Sequence, residues 1–283
     1  MSETITLPLN ELSKFDAGDL IPDRPHRIDV VTGQTVLPFL VVPRAGADSL
    51  LVISNGAVDH TVAQGHPVFQ RSSWSREIRH HQVYFCDPGT VGIGHLSLAW
   101  GQVSREYSAV HDAAHAVRVV ASGLRVADPG RRVYYGSSAG GFLALALLSD
   151  DEGASAILNN AQFDWTRWMA TGLNPLRQAR FANMLPLDLR RRYPLRTNVL
   201  NLLVKRDRPV RIDYHVNLAS KHDRDIDHPM FEEFVHSHPS LTRNVQVLPY
   251  DDVEAGHNPL PKGRTIELLN DSFPHSLLRS PNP

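Results

Sequence analysis

Short runs of apolar and β-branched residues alternate along the chain with segments in which apolar residues recur at helical intervals. The short runs predict strands at residues 26–31, 35–42, 50–54, 82–85, 132–135, 156–159, 198–204 and 244–249. Several of these runs, such as LLVIS and VLNLLV, are apolar nearly throughout. That composition is typical of strands covered by helices on both faces.

Three segments between the predicted strands predict helices. Apolar residues from Tyr107 to Ala121 recur at three- and four-residue intervals within 104–124, and shorter helices are predicted at 140–148 and 262–269. Strands alternating with helices predict an α/β fold with a mostly parallel sheet and right-handed crossovers. The turn Thr32-Gly33-Gln34 between the first two strands adds an antiparallel hairpin at the N-terminal end.

We expect a single domain over residues 1–283, because no internal repeat, low-complexity tract or linker divides the chain. Almost forty residues between the predicted strands at 156–159 and 198–204 interrupt the alternation. Insertions of this length in a compact fold usually serve a function. The segment at about 163–196, after the sixth predicted strand, is therefore expected to form a small helical lid.

The composition excludes several functional classes. The chain has 29 basic and 30 acidic side chains, so a dedicated nucleic-acid surface is not expected. No apolar run reaches the roughly 18 residues of a membrane span, and the first twenty residues lack the features of a secretory signal. We therefore expect a cytoplasmic protein without a membrane span. The single cysteine, Cys86, excludes an internal disulfide and is expected to be a buried apolar side chain in a strand.

The sequence Tyr135-Gly136-Ser137-Ser138-Ala139-Gly140 contains a Gly-x-Ser-x-Gly motif between a predicted strand and a predicted helix. A nucleophile at such a sharp turn requires strained backbone dihedrals and close approach of the neighbouring backbone, which the flanking glycines permit. We therefore expect Ser138 to be a nucleophile. The N–H of Ala139, at the start of the helix, would then face a developing oxyanion.

A serine nucleophile needs a base, and the base in turn needs an acid to orient it. Where this motif belongs to an α/β-hydrolase fold, the order along the chain is serine, acid, histidine. His257 lies in the loop after the last predicted strand and follows a glycine, so we expect it to be the base. Asp207, three residues after the predicted strand at 198–204, is the favoured acid, and Asp213 is the alternative.

A second oxyanion donor is expected from the loop after the strand at 50–54. Gly56 in this loop allows the backbone to turn so that the N–H of Ala57 points inward. Substrate contacts are expected from Gln162, Trp165 and Trp168, with Met184 contributing further apolar surface from the insertion.

The chain resembles α/β-hydrolases over nearly its whole length. Within them it is similar to a bacterial group related to accessory secretion-system acetyltransferase-like proteins and polysaccharide-locus serine hydrolases. The segments that carry the resemblance are NGAVDH at 55–60, CDPGT at 86–90, LAWG at 98–101, YYGSSAGGF at 134–142 and NNAQFDWTRW at 159–168. The last segment resembles an Asn-Pro-Gln-Thr-Asp pattern in which Ala161 and Phe163 replace the proline and the threonine. The resemblance implies a triad of Ser138, a late aspartate and His257.

A metal site is the competing interpretation. Histidines and aspartates crowd the segment from His215 to His238, but no fixed metal-ligand spacing such as HExxH occurs there. We expect a solvated, histidine-rich surface in this segment, with a loop between His222 and His228. Phosphate and dinucleotide glycine motifs are also missing from the sequence.

These features predict an esterase-type serine hydrolase that cleaves a carboxylic ester through an acyl-enzyme, without a cofactor or a metal. The substrate would be a small-molecule or glycan-linked ester. An acyltransferase that uses the same triad, or a non-enzymatic accessory protein with this fold, are the alternatives. The sequence leaves the oligomeric state open.

Overall fold

The computed structural model describes residues 4–92 and 96–273. Its centre is a sheet in which nine strands of the described chain lie in the order β1-β2-β3-β5-β4-β6-β7-β8-β9. The strands are β1 (Ile5–Pro8), β2 (His26–Val31), β3 (Val36–Val42), β4 (Leu50–Ser54), β5 (His81–Phe85), β6 (Arg132–Ser138), β7 (Ser155–Ala161), β8 (Arg211–Asn217) and β9 (Asn244–Tyr250).

Most neighbouring strands of this sheet are parallel. The exceptions are the pairs β2–β3 and β3–β5, which are antiparallel. The predicted hairpin at Thr32-Gly33-Gln34 is therefore confirmed, as is the mostly parallel sheet. In a parallel sheet the carboxyl ends of the strands meet at one edge, which is where ligands bind in open α/β sheets.

Helices cover both faces of the sheet. The helices of the described chain are α1 (His60–Ala63), α2 (Val110–Gly123), α3 (Ala139–Leu148), α4 (Ala170–Arg180), α5 (Pro186–Arg192), α6 (Pro194–Thr197), α7 (Val199–Arg206), α8 (His228–Ser237), α9 (Pro239–Thr242) and α10 (Lys262–Asp271). Val52 packs into the larger core cluster with α2 and α3, whereas its neighbours Leu51 and Ile53 pack into a smaller cluster with Leu269 of α10. The nearly continuous apolar run LLVIS is explained by this burial on both faces.

The predicted strand at 198–204 is wrong, because this segment forms α7. Asn198 caps the helix by accepting a hydrogen bond from the N–H of Leu200. The buried side chains Val199, Leu200 and Leu203 follow helical spacing, while Asn201 is exposed. The run of valines and leucines therefore covers one stripe of a helix rather than both faces of a strand.

The next strand of the sheet, β8, was not predicted from the sequence. Its sequence RIDYHVN buries Ile212, Tyr214 and Val216 on one side, while Asp213 and His215 alternate with them. β8 pairs in parallel with β7 and β9. The edge strand β1 was also not predicted, since it has only four residues.

The segment at 163–196 consists of a short 3₁₀ turn at Trp165–Arg167 followed by α4, α5 and α6. It connects the end of β7 to α7 and thus leaves the sheet at its carboxyl edge. Within residues 4–92 and 96–273, no helix has both the length and the apolar character required to cross a bilayer.

Candidate active site

Ser138 lies at the sharp turn between β6 and α3. Its φ of 55° and ψ of −128° are uncommon for a residue with a side chain. A Cβ on Gly136 would lie 2.0 Å from the carbonyl oxygen of Gly140, and a Cβ on Gly140 would lie 2.8 Å from the carbonyl oxygen of Ser54. The two glycines of the motif are therefore required by the close packing of the turn.

The structure brings Ser138 and His257 together, although they are separated by 119 positions in the sequence. Ser138 Oγ lies 2.9 Å from His257 Nε2. His257 is in the loop between β9 and α10 and is half-buried. The distance is suitable for transfer of the serine proton to the imidazole.

The carboxylate next to His257 belongs to Asp223. Both carboxylate oxygens of Asp223 lie 2.9 Å from His257 Nδ1. Asp223 is fully buried and begins a single π-helical turn, Asp223–Asp227, which follows β8 and leads into α8. The expected loop between His222 and His228 is therefore a π-helical turn, and its first residue contacts the imidazole.

The favoured acid, Asp207, lies elsewhere. It is exposed at the C-terminal end of α7 in the left-handed conformation, with a φ of 51°. Because Asp207 precedes β8, it is at the amino edge of this parallel strand, whereas Ser138 is at the carboxyl edge of β6. The expectation that Asp207 orients His257 is therefore wrong. It depended on a strand at 198–204, and this segment forms the helix α7.

The alternative acid, Asp213, is also not in contact with His257. It lies in the middle of β8, opposite Ile157 of β7 and Gln246 of β9. Its side chain projects from a face of the sheet rather than from the carboxyl edge.

Buried amide side chains hold the loop that carries His257. Asn160 Nδ2 donates to the carbonyl oxygens of His257 at 3.2 Å and Asn258 at 2.9 Å. Asn217 Nδ2 donates to the carbonyl oxygens of Asp252 and Gly256, at 2.6 and 2.7 Å. The Asn160 Oδ1 accepts from the N–H of Asn217, so the two amides are also linked to each other. We name the pair Asn160 and Asn217 the amide clamp; its role was not predicted from the sequence.

Gln162 makes hydrogen bonds directly to Ser138. Its Nε2 donates to Ser138 Oγ at 2.9 Å, and its backbone N–H donates to the Ser138 carbonyl oxygen at 3.1 Å. Its Oε1 accepts from Trp100 Nε1 at 2.7 Å. Both Gln162 and Trp100 are buried.

The two tryptophans of the insertion have different surroundings. The half-buried Trp168 packs against the His257 ring, with the ring centroids 4.8 Å apart, and therefore lies beside the Ser138–His257 pair. Trp165 is fully buried, stacks on Trp100 and donates its indole N–H to the carbonyl oxygen of Arg196. Trp165 has no exposed surface to offer a substrate, which corrects the expectation for that residue. The half-buried Met184 packs against the core.

The loop at 55–58 lies next to the turn that carries Ser138. Gln70 fixes it from both sides, because its Oε1 accepts from the N–H of Gly56 and its Nε2 donates to the carbonyl oxygen of Ala57. The N–H of Val58 donates to the carbonyl oxygen of Ser97. Ala57 is exposed, and its N–H has no hydrogen-bond partner among residues 4–92 and 96–273. Ala139, the other expected oxyanion donor, is the first residue of α3.

Asp87 connects the loops around Trp100. Its carboxylate accepts from the N–H groups of Gly89 and Gly101, and its own N–H donates to Asn55 Oδ1. Burial raises the pKa of Asp87 to about 6, against the lowering effect of these backbone hydrogen bonds. The buried Asp87 therefore holds the backbone of these loops in place.

A second histidine–aspartate pair lies beside Asp223. His222 Nε2 is 3.2 Å from Asp227 Oδ2, and the His222 ring packs edge-on against Trp168. Burial acts to lower the pKa of His222, but the hydrogen bond and the charge of Asp227 outweigh it and the pKa is raised. Because Asp223 and Asp227 are buried, this segment is not the solvated surface expected from its sequence. In the part of the chain that the structure describes, no three His, Cys, Asp or Glu side chains are grouped so that they could hold a metal ion.

Comparisons with known proteins identify the fold. No family model and no curated protein sequence matches the chain. Among solved structures, it is similar to an acylaminoacyl peptidase from Pyrococcus horikoshii, with a TM-score of 0.57 and 14% sequence identity over 83% of this chain, which spans only 38% of the peptidase. An acetyl xylan esterase from Paenibacillus sp. R4 matches with a TM-score of 0.57 and 18% identity, over 94% of this chain and 92% of the esterase.

A third similar structure is the capsule O-acetyltransferase of Neisseria meningitidis serogroup A. It matches with a TM-score of 0.58 and 11% identity, over 81% of this chain and 86% of the transferase. The mostly parallel sheet with antiparallel strands at its N-terminal end agrees with these neighbours. The chain has the α/β-hydrolase fold.

Proposed function

We propose that the protein is an esterase-type serine hydrolase that cleaves a carboxylic ester through an acyl-enzyme. The observation that carries this proposal is the continuous series of contacts from Ser138 Oγ to His257 Nε2 and from His257 Nδ1 to Asp223, each 2.9 Å long. A nucleophile, a base and an orienting acid in hydrogen-bond contact are the requirements for nucleophilic catalysis by serine.

In the proposed reaction, Ser138 Oγ attacks the ester carbonyl carbon while His257 Nε2 takes its proton. The carbonyl π electrons move to the carbonyl oxygen, which the N–H groups of Ala57 and Ala139 would stabilise. When the carbonyl re-forms, the alkoxide leaves and receives the proton from His257. Water then resolves the acyl-enzyme by the same steps in reverse order.

Asp223 replaces Asp207 as the proposed acid. Its carboxylate accepts the hydrogen bond from Nδ1–H, so it fixes the tautomer in which Nε2 can accept a proton. It also stabilises the imidazolium that forms when the serine proton moves. Full burial of Asp223 strengthens both effects, because little solvent screens the charges.

Acyl transfer is the second candidate reaction, and the similarity to a capsule O-acetyltransferase supports keeping it. Transfer and hydrolysis would use the same residues and differ only in whether water or an acceptor hydroxyl attacks the acyl-enzyme. The Trp168 ring covers one side of His257, where it can restrict water or bind a sugar face. The insertion at 163–196 would thus act as the cover of the site.

The proposed function is tested with a fluorophosphonate probe and with p-nitrophenyl acetate. We expect wild-type protein to be labelled and to release nitrophenol, and Ser138→Ala to do neither while its Tm stays within a few degrees. Ser137→Ala is the matched control, because Ser137 precedes the nucleophile and its Oγ accepts from Arg71 instead. Labelling or turnover by Ser138→Ala would exclude Ser138 as the nucleophile. An unreactive wild type would favour a non-enzymatic protein with this fold.

Hydrolysis and transfer are separated by adding acceptor sugars to the p-nitrophenyl acetate reaction. If transfer is the activity, the acceptor raises the rate of nitrophenol release and an acetylated sugar accumulates. If hydrolysis is the activity, acetate is formed at the same rate with and without the acceptor.

A further inference from the structure

Ser138 Oγ is in contact with a side chain that the triad does not include. Asp223 accepts from the Nδ1 of His257, so Nε2 carries the lone pair and accepts the Ser138 proton. The Oγ must then receive its second hydrogen bond as an acceptor. The donor is Gln162 Nε2, at 2.9 Å.

The orientation of the Gln162 amide is fixed by Trp100. The indole N–H can only donate, so the Gln162 atom 2.7 Å from it must be the carbonyl oxygen. The NH₂ group is therefore the end that faces Ser138. Trp100 is itself fully buried and stacks on Trp165, with ring centroids 5.7 Å apart. The backbone N–H of Gln162 also donates to the Ser138 carbonyl oxygen at 3.1 Å, which holds the Gln162 side-chain amide next to Ser138 Oγ.

We propose that Gln162 is a catalytic residue, whose Nε2–H stabilises the charge on Ser138 Oγ both when this atom attacks and when it leaves, and that Trp100 is its positioning residue. This inference rests on the proposed serine-hydrolase function. It differs from the expected role of Gln162, which was contact with the substrate.

The acylation step explains the first half of this role. As the Oγ proton moves to His257 Nε2, an Oγ electron pair forms the bond to the carbonyl carbon and the carbonyl π pair moves to the carbonyl oxygen. Oγ has alkoxide character during this step, and a hydrogen bond to an ionised acceptor is stronger than one to a neutral hydroxyl. The Gln162 contact is therefore stronger in the transition state than in the resting enzyme, which is the condition for catalysis.

The deacylation step uses the same contact in reverse. In the acyl-enzyme Oγ is an ester oxygen, a weaker acceptor than an alkoxide. When the attacking water has given its proton to His257, the bond between the carbonyl carbon and Oγ breaks, and Oγ leaves with the electron pair and takes the proton back. The Gln162 N–H stabilises the charge on the leaving Oγ. Acylation and deacylation should thus depend on Gln162 to a similar extent.

The main variant for the test is Gln162→Met, which keeps the approximate shape and removes the donor. Gln82→Met is the matched control, because Gln82 is also buried and also accepts from an aromatic residue, Tyr84, at 2.7 Å, but lies on β5 in the interior of the sheet. We expect Gln162→Met to lower the fluorophosphonate labelling rate, and the pre-steady-state rates of acylation and deacylation, each by roughly 10- to 100-fold, the range for a hydrogen bond to a charged group. Gln82→Met should leave these rates unchanged per folded molecule.

Gln162→Glu provides a second test that does not depend on how the methionine variant folds. The carboxylate is isosteric and can still accept from Trp100, but when ionised it offers no N–H to Oγ and repels its charge. We expect a labelling rate below that of Gln162→Met at pH 8. If the labelling rate at pH 8 equals the wild-type rate, the donor role is excluded.

A double-mutant cycle tests the positioning role of Trp100. Trp100→Phe keeps an aromatic ring next to Trp165 and removes the indole N–H, so the Gln162 amide is no longer fixed. We expect a loss of labelling rate that disappears in the Gln162→Met background, since Trp100 acts through Gln162. A loss of the same size in both backgrounds would show a structural role instead.

Failure of this inference can be told apart from failure of the proposed function. If wild-type protein is labelled at Ser138 and Gln162→Met changes only KM, Gln162 is a substrate-binding residue and the inference is wrong. Unchanged rates in Gln162→Met also overturn it. If wild-type protein does not react at Ser138 at all, the proposed function itself is wrong.

Discussion

The two carboxylate oxygens of Asp223 are equidistant from His257 Nδ1, at 2.9 Å, although the residues are 34 positions apart. Asp223 reaches this place because β8 ends at the carboxyl edge of the sheet and the chain then forms a π-helical turn instead of leaving the edge. The wider π turn precedes α8 and directs the first side chain, Asp223, toward the loop after β9. π-helical turns of this kind frequently occur at functional sites.

The first prediction compares Asp223 with the acid favoured from the sequence. Asp223→Asn should lower kcat for p-nitrophenyl acetate by roughly 10³- to 10⁴-fold, because the amide offers His257 the wrong hydrogen-bonding partner and no charge. Asp207→Asn should change kcat by less than about tenfold, because Asp207 is exposed at the opposite edge of the sheet.

Both variants are measured at pH 7–8 with Asp213→Asn as a further control. A large loss of kcat in Asp207→Asn or Asp213→Asn, with a mild one in Asp223→Asn, would refute the assignment. The Ser138–His257 contact would still stand in that case.

The sequence was sufficient to place Ser138 and His257 because each lies in a short segment whose local chemistry is distinctive. Glycine is required at 136 and 140 because a Cβ there would lie 2.0 and 2.8 Å from a neighbouring carbonyl oxygen, and this requirement is visible in the sequence as the Gly-x-Ser-x-Gly motif. The histidine follows the last strand of the sheet, and that strand was predicted correctly at 244–249.

Asp223, the proposed acid, could not be identified from the sequence in the same way, because its position depends on counting strands correctly. The valines and leucines at 199–204 have the composition of a buried strand but form a helix. The strand β8, in contrast, has Arg211, Asp213 and His215 between its apolar residues. One error in element type therefore moved the expected acid from the carboxyl edge to the amino edge. The alternation of Ile212, Tyr214 and Val216 was the available signal, and it would have directed attention to the aspartates that follow Asn217.

The Trp100–Gln162 contact was inaccessible from the sequence for a different reason. The two residues are 62 positions apart, and their hydrogen bond depends on how two loops meet at the sheet edge. Neither residue has a local pattern that identifies its partner. Helical or strand periodicity describes one element at a time and gives no information on such contacts.

A second prediction concerns the amide clamp. Asn160→Asp keeps the shape of the side chain but removes the Nδ2 donors to the carbonyl oxygens of His257 and Asn258. The repulsion between a carboxylate and these oxygens should displace the histidine loop. We expect kcat to fall at least about tenfold with a smaller change in KM, together with a lower Tm, because a buried donor is lost.

The matched control for the clamp is Asn201→Asp, an exposed asparagine on α7. This variant should have wild-type kcat and Tm. Wild-type kcat in Asn160→Asp would show that the histidine loop keeps its position without the clamp.

A third prediction concerns the thiol of Cys86, which lies just after β5. Burial raises the pKa of Cys86 to about 12, so the reactive thiolate is scarce at neutral pH. We expect no reaction of the native protein with a disulfide reagent such as Ellman's reagent within an hour at pH 8, and no loss of esterase activity. In 6 M guanidinium chloride one thiol per chain should react, because the sequence has one cysteine. Rapid reaction of the native protein would contradict the burial of this residue.

The last prediction concerns the pH dependence of stability through His222 and Asp227. The pKa of His222 is raised in the folded protein, against the effect of burial, mainly by the hydrogen bond and the charge of Asp227 and also by the charge of Asp223. The pKa of Asp227 is also raised, in this case by burial, although the contact with His222 partly lowers it. Both pKa values are raised, so the folded state binds more protons at this pair than the unfolded state does. The contribution of the pair to the free energy of unfolding therefore falls as pH rises.

For His222 the contribution is fully present below the unfolded pKa of about 6.5 and is lost as pH rises through the higher folded value. We therefore expect the free energy of unfolding of wild type, relative to the neutral pair His222→Gln/Asp227→Asn, to fall between pH 6 and pH 8. Urea unfolding at pH 6, 7 and 8 measures this difference. His236→Gln, at an exposed position outside this pair, is measured at the same pH values as the control for replacing a histidine by glutamine. A difference for the buried pair that stays constant or grows with pH would mean that His222 is not held in its charged form by Asp227.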